Sequence, residues 1–271
     1  MKVLLVLLLL LVLLLVCTSR RSSFTSSKER LHQLYTTFSP RFNLNTKNKK
    51  LDNVDMIYTI TMPQRKDYIS KQMDTLGFTF TCFDAVKPGD LTENDYNSLS
   101  TTNDPGSNYY QKKTRLPVLL SFVMCFMDAI QKGYTTVIIF EDDIIINVDT
   151  STLNNSLTEF YNSELDIFYM GYCFLNCNQK YDKNKYTHLY ELVDRSLVCG
   201  HAVCFKVNVL QKLIDHCFNP RMYKPSDEMF YEFYVKNFIK ICVPKFAYFD
   251  QVERDKMDSL NESTVKLQHC Q

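Results

Sequence analysis

The sequence predicts an α/β fold, and three observations carry that prediction. A strand-helix-strand unit occupies residues 54–83. A helix that is apolar almost all round, 116–132, leads at once into a short apolar strand. That strand, Val137-Ile138-Ile139-Phe140, then meets three carboxylates, Glu141-Asp142-Asp143. Strand-like and helix-like segments alternate from there on, the pattern of a sheet covered by helices.

Each element has a local reason. Residues 1–17 open with Lys2 and continue as an unbroken Leu/Val run from Val3 to Val16. About 14 apolar residues suit a signal-peptide core and fall short of the roughly 20 that span a bilayer. Cys17-Thr18-Ser19 offers a small-residue cleavage site, and Arg20-Arg21 offers the flank of a signal anchor. Both readings of 1–21 stand, and both place the rest of the chain in the secretory pathway, in the ER or Golgi lumen as a single-pass type II membrane protein, or secreted. Residues 22–50 are rich in Ser, Thr, Asn, Lys and Arg and read as a flexible stem, with room for one helical turn over 31–38. The expected domain is therefore 51–271, a single unit.

Within it, 54–61 is β-branched and aromatic and reads as a strand. Helical spacing over 66–76 stops at Gly77, a residue suited to the left-handed turn that closes a helix. The segment 78–83 alternates aromatic with Thr or Cys and reads as the next strand, joined in parallel by a right-handed crossover. The polar stretch 85–115, broken by Pro88-Gly89 and Asp104-Pro105-Gly106, reads as a long loop. Pro117 in a first turn and Gly133 past the end bracket the apolar helix. Helix 150–161 has Asp149 as N-cap. Strand 165–172, an irregular polar stretch 173–195, strand 196–205 and helix 208–217 follow. Ser226 caps a helix over 227–238, and 241–249 is the last strand.

The 271 residues suffice for one domain with a sizeable core. A net charge of +1 gives no field for nucleic acid, so a nucleic-acid partner is not expected. Of the ten cysteines, Cys173, Cys177, Cys199 and Cys204 lie together and are the candidates for pairing, without a zinc-site spacing. Cys125, inside the apolar helix, reads as a core thiol. Asn154 and Asn261 stand in glycosylation sequons.

The chemistry is expected at the acids. Carboxyl ends of strands in open α/β sheets are where ligands bind. Glu141 and Asp143 are two apart, so in an extended chain they leave on the same side. Two hard oxygen donors suit Mn²⁺ or Mg²⁺, ions that keep waters and bind phosphates.

Residues 59–271 resemble glycosyltransferase family 25, the lipopolysaccharide and collagen β-galactosyltransferases. The matching pieces come in order: Ile60-Thr61-Met62-Pro63-Gln64-Arg65 with Asp67, Leu76-Gly77, Phe83-Asp84-Ala85-Val86, Leu120-Ser121-Phe122, Glu141-Asp142-Asp143, Gly200-His201-Ala202, Pro225-Ser226-Asp227, and finally Pro244, Gln251 and Ser259. Three positions depart from the family: Thr61 replaces its Asn, Tyr68 a later Arg, and Phe122 its His.

The resemblance implies a single GT-A type domain with a mixed, mainly parallel sheet. It implies a nucleotide-sugar donor, UDP-linked, carrying a hexose such as galactose or glucose. It further implies inversion at the anomeric carbon and a glycan or glycoprotein acceptor. Glu141 and Asp143 are the expected metal ligands. Thr61, Arg65 and Asp142 are the expected donor-binding residues. Asp227 and Glu228, at a helix start, are the expected bases for the acceptor hydroxyl. Two other readings of the same acids stay open: a catalytically inactive sugar- or nucleotide-binding relative, and another metal-dependent nucleotide enzyme. His201 reads as a core histidine.

Overall fold

In a computed structural model of the chain, residues 27–46, 51–100, 109–174, 181–182, 184–193, 197–218, 222 and 224–252 are described. The leader segment 1–21, Cys177, Ser259 and the sequon at Asn261 lie outside them. A helix α1 (27–38) leads to strand β1 (Phe42–Asn45). Then come β2 (Met56–Thr61), α2 (Lys66–Leu76), β3 (Phe80–Asp84), α3 (Glu93–Leu99) and α4 (Tyr109–Gln131). The acids close β4 (Thr136–Glu141), and β5 (Ile144–Ile146), α5 (Thr150–Asn162) and β6 (Ile167–Phe174) follow. The chain continues through β7 (Tyr181–Asp182), β8 (Leu189–Leu192), β9 (Leu197–Lys206), α6 (Leu210–Phe218), α7 (Ser226–Lys236), β10 (Ile241–Pro244) and β11 (Phe249–Gln251).

Nine strands form one mixed sheet in the order β1-β3-β2-β4-β9-β6-β10-β8-β7, and β5 pairs with β11 in a second small sheet. The opening unit pairs β2 with β3 in parallel, Thr61 opposite Asp84, and β4 joins β2 in parallel from the other side, Ile60 opposite Glu141. Three neighbouring strands thus end together at Thr61, Asp84 and Glu141. Strand β9 enters antiparallel between β4 and β6, and β10 runs parallel to β6. This is the mixed α/β architecture expected.

The pleat sorts the core into two layers. Val137 and Ile139 of β4 face one layer, with Val203 and Phe205 of β9 and residues of α1, α4, α6 and α7. Ile138 and Phe140 face the other, with Ile69 and Met73 of α2, Leu153 and Leu157 of α5, and Phe249 of β11. Helix α4 is the spine of the first layer. Residues 113–131 are long and apolar enough to cross a membrane, but 67% of that stretch is buried inside the protein. A helix apolar on all sides is what a core helix between layers requires.

Several expectations are corrected. Residues 27–46 are not a flexible stem. Leu31, Leu34, Tyr35 and Phe38 recur at helical spacing and are buried in the first layer, and β1 pairs with β3. The helical turn read over 31–38 is part of this longer helix, and the folded unit includes residue 27. The loop 85–115 contains α3, capped by Thr92, whose hydroxyl accepts the Asp95 N–H at 3.3 Å. Helix α4 starts at Tyr109, with Pro117 in its interior rather than its first turn. A proline there frees the carbonyl four residues earlier; that carbonyl, of Lys113, accepts the Tyr96 hydroxyl at 3.3 Å. The irregular stretch 173–195 supplies β7 and β8. The segment 241–249 splits into β10 and the start of β11. Ser226 is the first residue of α7, which has Pro225 before it and no side-chain cap. Cys204 is a buried thiol outside any disulfide, as are Cys82, Cys125, Cys217 and Cys242. Asn154 lies within α5 with its side-chain oxygen buried, a poor position for a glycan.

Candidate functional site

The acids emerge at the carboxyl edge of β4, and the turn after them separates their roles. Asp142 is buried. Its Oδ2 accepts the Met62 N–H at 2.6 Å, and its Oδ1 accepts Arg65 Nη1 at 2.8 Å. Both partners lie in the turn that follows β2, so Asp142 ties the end of β4 to the end of β2. Burial pushes its carboxyl above the usual range, against the pull of these bonds. With both oxygens engaged inside the protein, Asp142 positions Arg65; it does not face the open edge. Thr61 is likewise buried, its hydroxyl donating to Thr59 O at 3.4 Å.

Glu141 and Asp143 behave differently. Both are partly exposed. Gln251 Nε2 donates to Glu141 Oε2 at 3.2 Å and to Asp143 Oδ1 at 3.4 Å. Both carboxylates therefore reach one side chain, although the chain turns between them and is not the extended one expected. Gln251 arrives from 108 residues away because β11 pairs with β5, Gln251 opposite Ile144, and the Val252 N–H donates to Asp143 O at 2.8 Å. Tyr68, at the family's Arg position, donates its hydroxyl to Ile144 O at 2.9 Å. Burial, and then the charge of Asp143, hold that phenol above its ordinary range. Phe122, at the family's His position, is buried against Phe230 with ring centroids 5.9 Å apart.

The donor set fits a divalent cation. Two carboxylate oxygens lie within 3.2 and 3.4 Å of one amide nitrogen, and hard oxygen donors of this kind are what Mn²⁺ and Mg²⁺ take, with waters and phosphate oxygens filling the remaining positions. Among the described residues no group of three or more His, Cys, Asp or Glu is placed to hold a metal ion, so the carboxylate share proposed at this edge is this pair.

The two expected bases are set apart by α7. Tyr169 and Tyr234 are buried and hydrogen-bonded to each other at 2.8 Å. Burial first, and the charge of Asp227 as a smaller cause, hold both phenols above their ordinary range. Asp227 is partly buried, and its Oδ1 accepts the Glu228 N–H at 3.0 Å. Glu228 is exposed and sits 3.9 Å from Lys224. By the alternation of β4, Glu141 continues the face of Val137 and Ile139, the face on which α7 packs.

Beneath the edge, His201 Nε2 donates to Phe249 O at 3.0 Å, and burial drives its pKa down to about 4. It is the core histidine expected, here supporting β11. Gly171 makes room for it: a Cβ there would lie 2.2 Å from His201 Nε2 and 2.7 Å from Phe249 O. Residue type and spacing on β4 gave no sign of this support. Gln251 had one signal, its place in the family's closing pattern.

The sequence model of glycosyltransferase family 25, described as a lipopolysaccharide biosynthesis protein, matches residues 55–202. That is more than half of the 271 residues and runs from β2 into β9, taking in the acids but neither Asp227 nor Gln251. No curated protein matches the chain.

Proposed function

The chain belongs to glycosyltransferase family 25, and from that premise we propose that it moves a hexose, galactose or glucose, from a UDP-sugar to a hydroxyl of a glycan or glycoprotein, with inversion and with Mn²⁺ or Mg²⁺ bound. The observation that carries the metal-dependent reading is the convergence of Glu141 Oε2 and Asp143 Oδ1 at the carboxyl edge of β4. Glu141 and Asp143 hold the cation, which when bound offsets the charge of the diphosphate.

The remaining work falls to the chain itself. Arg65, fixed by Asp142 and 18% exposed at its side chain, presents positive charge beside the diphosphate. Asp227 takes the proton from the acceptor hydroxyl as its oxygen bonds to the anomeric carbon from the face opposite UDP. The bond from that carbon to UDP breaks as the new one forms, which gives inversion. The transition state has oxocarbenium character, as in glycoside hydrolysis. Residues 1–21 deliver the domain to the secretory pathway and anchor it there if uncleaved.

The test is donor turnover across a panel of UDP-hexoses with Mn²⁺, reading released UDP, on wild type and Glu141→Gln. Metal-dependent UDP release by the wild type and its loss in the variant are expected. UDP binding without release from any nucleotide sugar identifies a binding-only relative. Release of pyrophosphate identifies a nucleotidyltransferase.

A further inference from the structure

We infer that Gln251 is the third protein contact of the cation site, presenting its side-chain oxygen to the ion that Glu141 and Asp143 hold. The inference rests on the proposed reading of those two carboxylates. Its own evidence is the position of the amide. One nitrogen of Gln251 stands within 3.2 and 3.4 Å of an oxygen from each carboxylate. The side chain therefore reaches the point on which both converge.

An amide has donors on one side and an acceptor on the other. With its NH₂ turned to the carboxylates it bridges two like charges. Turned half a revolution about its last bond, it offers a neutral oxygen to the same point. No other uncharged side chain of that length serves both purposes, and neither a Leu nor a carboxylate does.

The position is built, not incidental. Strand β11 is fixed at each residue leading to Gln251. Tyr248 bonds Ser156 at 2.7 Å, Phe249 O accepts His201 Nε2 at 3.0 Å, and Asp250 Oδ2 accepts Asn147 Nδ2 at 2.6 Å. After it, the Val252 N–H closes on Asp143 O at 2.8 Å. Gly171 sets the depth of the support, because any Cβ would collide with both His201 and Phe249 O. The acids come from one strand edge and the amide from another sheet, so their meeting is a tertiary arrangement that four separate bonds maintain.

The experiment measures Mn²⁺ affinity by electron paramagnetic resonance, and melting temperature in EDTA, on wild type, Gln251→Leu and Gln251→Glu. The expected result for Gln251→Leu is Mn²⁺ binding about 10- to 100-fold weaker. The expected result for Gln251→Glu is tighter Mn²⁺ binding together with a lower melting temperature in EDTA, because three carboxylates then repel. Mn²⁺ affinity within about twofold of wild type in both variants overturns the inference and leaves Gln251 a structural hydrogen bond. If Gln251→Leu does not fold, the near-isosteric Gln251→Glu decides: unchanged or weaker Mn²⁺ binding overturns it. Wild type that binds no Mn²⁺ overturns the cation reading itself, and is recognised by failure before any variant is compared.

Discussion

Asp128 and the Glu141/Asp143 pair are carboxylates in one domain with opposite surroundings. Asp128, on α4, is buried, and three donors surround it: Tyr58 OH at 2.5 Å, Tyr35 OH at 3.1 Å and Lys132 Nζ at 2.9 Å. These bonds join α1, β2 and α4, so the acid holds the first core layer together. Glu141 and Asp143 are partly exposed and share one amide nitrogen at 3.2 and 3.4 Å. A buried charge persists only when its partners are close and complete. On the reading proposed above, these two like charges side by side serve a cation instead. Asp142, between them in sequence, belongs with Asp128: it is buried, with two short bonds. The comparison teaches that three adjacent acids can divide into one buried residue tied to a neighbouring turn and two partly exposed ones at the sheet edge.

The sharpest test of that division is Asp143→Ala. Metal-dependent UDP binding, read by calorimetry, is expected to vanish and turnover to fall by at least about 10³-fold, the several kcal/mol a catalytic metal supplies. The melting temperature should stay near that of the wild type. Collapse of the fold would place Asp143 with Asp128 and break the comparison.

Next in size is Asp227→Asn, which should cut transfer about 10²- to 10⁴-fold while leaving UDP affinity intact, the signature of a missing base. Glu228→Gln should turn over near the wild-type rate, since Glu228 is exposed beside Lys224. Loss of UDP–Mn²⁺ binding in both would move α7 into the cation site.

Asp128→Ala is the converse of Asp143→Ala. It strands two buried phenols, and urea unfolding should show a loss of about 2–4 kcal/mol. UDP–Mn²⁺ affinity of the folded fraction should not change. A changed affinity would mean the two acids are coupled across the sheet.

The smallest expected effect is a pH dependence beneath the site. His201 titrates near 4 in the folded protein against 6.5 ordinarily, because burial disfavours its charged form. Between those values the unfolded chain binds the proton and the folded protein does not, so stability rises with pH through that window. The contribution is fully present above pH 6.5 and is lost as pH falls toward 4, by up to about 3 kcal/mol. Chemical denaturation of wild type and His201→Gln at pH 7 and pH 4.5 checks it. An identical loss in both would assign the effect elsewhere.

Much of the edge was legible in the sequence because its signals are local. The four apolar residues before Glu141 become a strand wherever they are buried. Gly77 adopts φ 71° at the end of α2 because the turn there needs it, and its N–H meets Met73 O at 3.0 Å. Asp149 caps α5 as its position predicts, accepting the Thr152 N–H at 2.9 Å. The helical turn read over 31–38 extends to a helix over 27–38, because Leu31, Leu34, Tyr35 and Phe38 find the first core layer, a partner that the polar stretch 22–50 does not announce. Pro117 was misread as lying in a first turn because the Lys113 carbonyl it frees finds the Tyr96 hydroxyl, 17 residues away, so the helix continues through it.

The sequence by itself determined the α/β class, the family, and the position of Glu141-Asp142-Asp143 at the end of a strand. Each follows from short-range patterns that any chain segment carries with it. Only the tertiary structure decided which of the three acids is buried, that Asp227 is less exposed than Glu228, and that Gln251 bonds both Glu141 and Asp143. Those outcomes depend on bonds between residues some 80 to 110 apart, from Met62 to Asp142 and from Gln251 to Glu141. Pairing at that range is fixed by sheet register and layer packing, which no local pattern encodes.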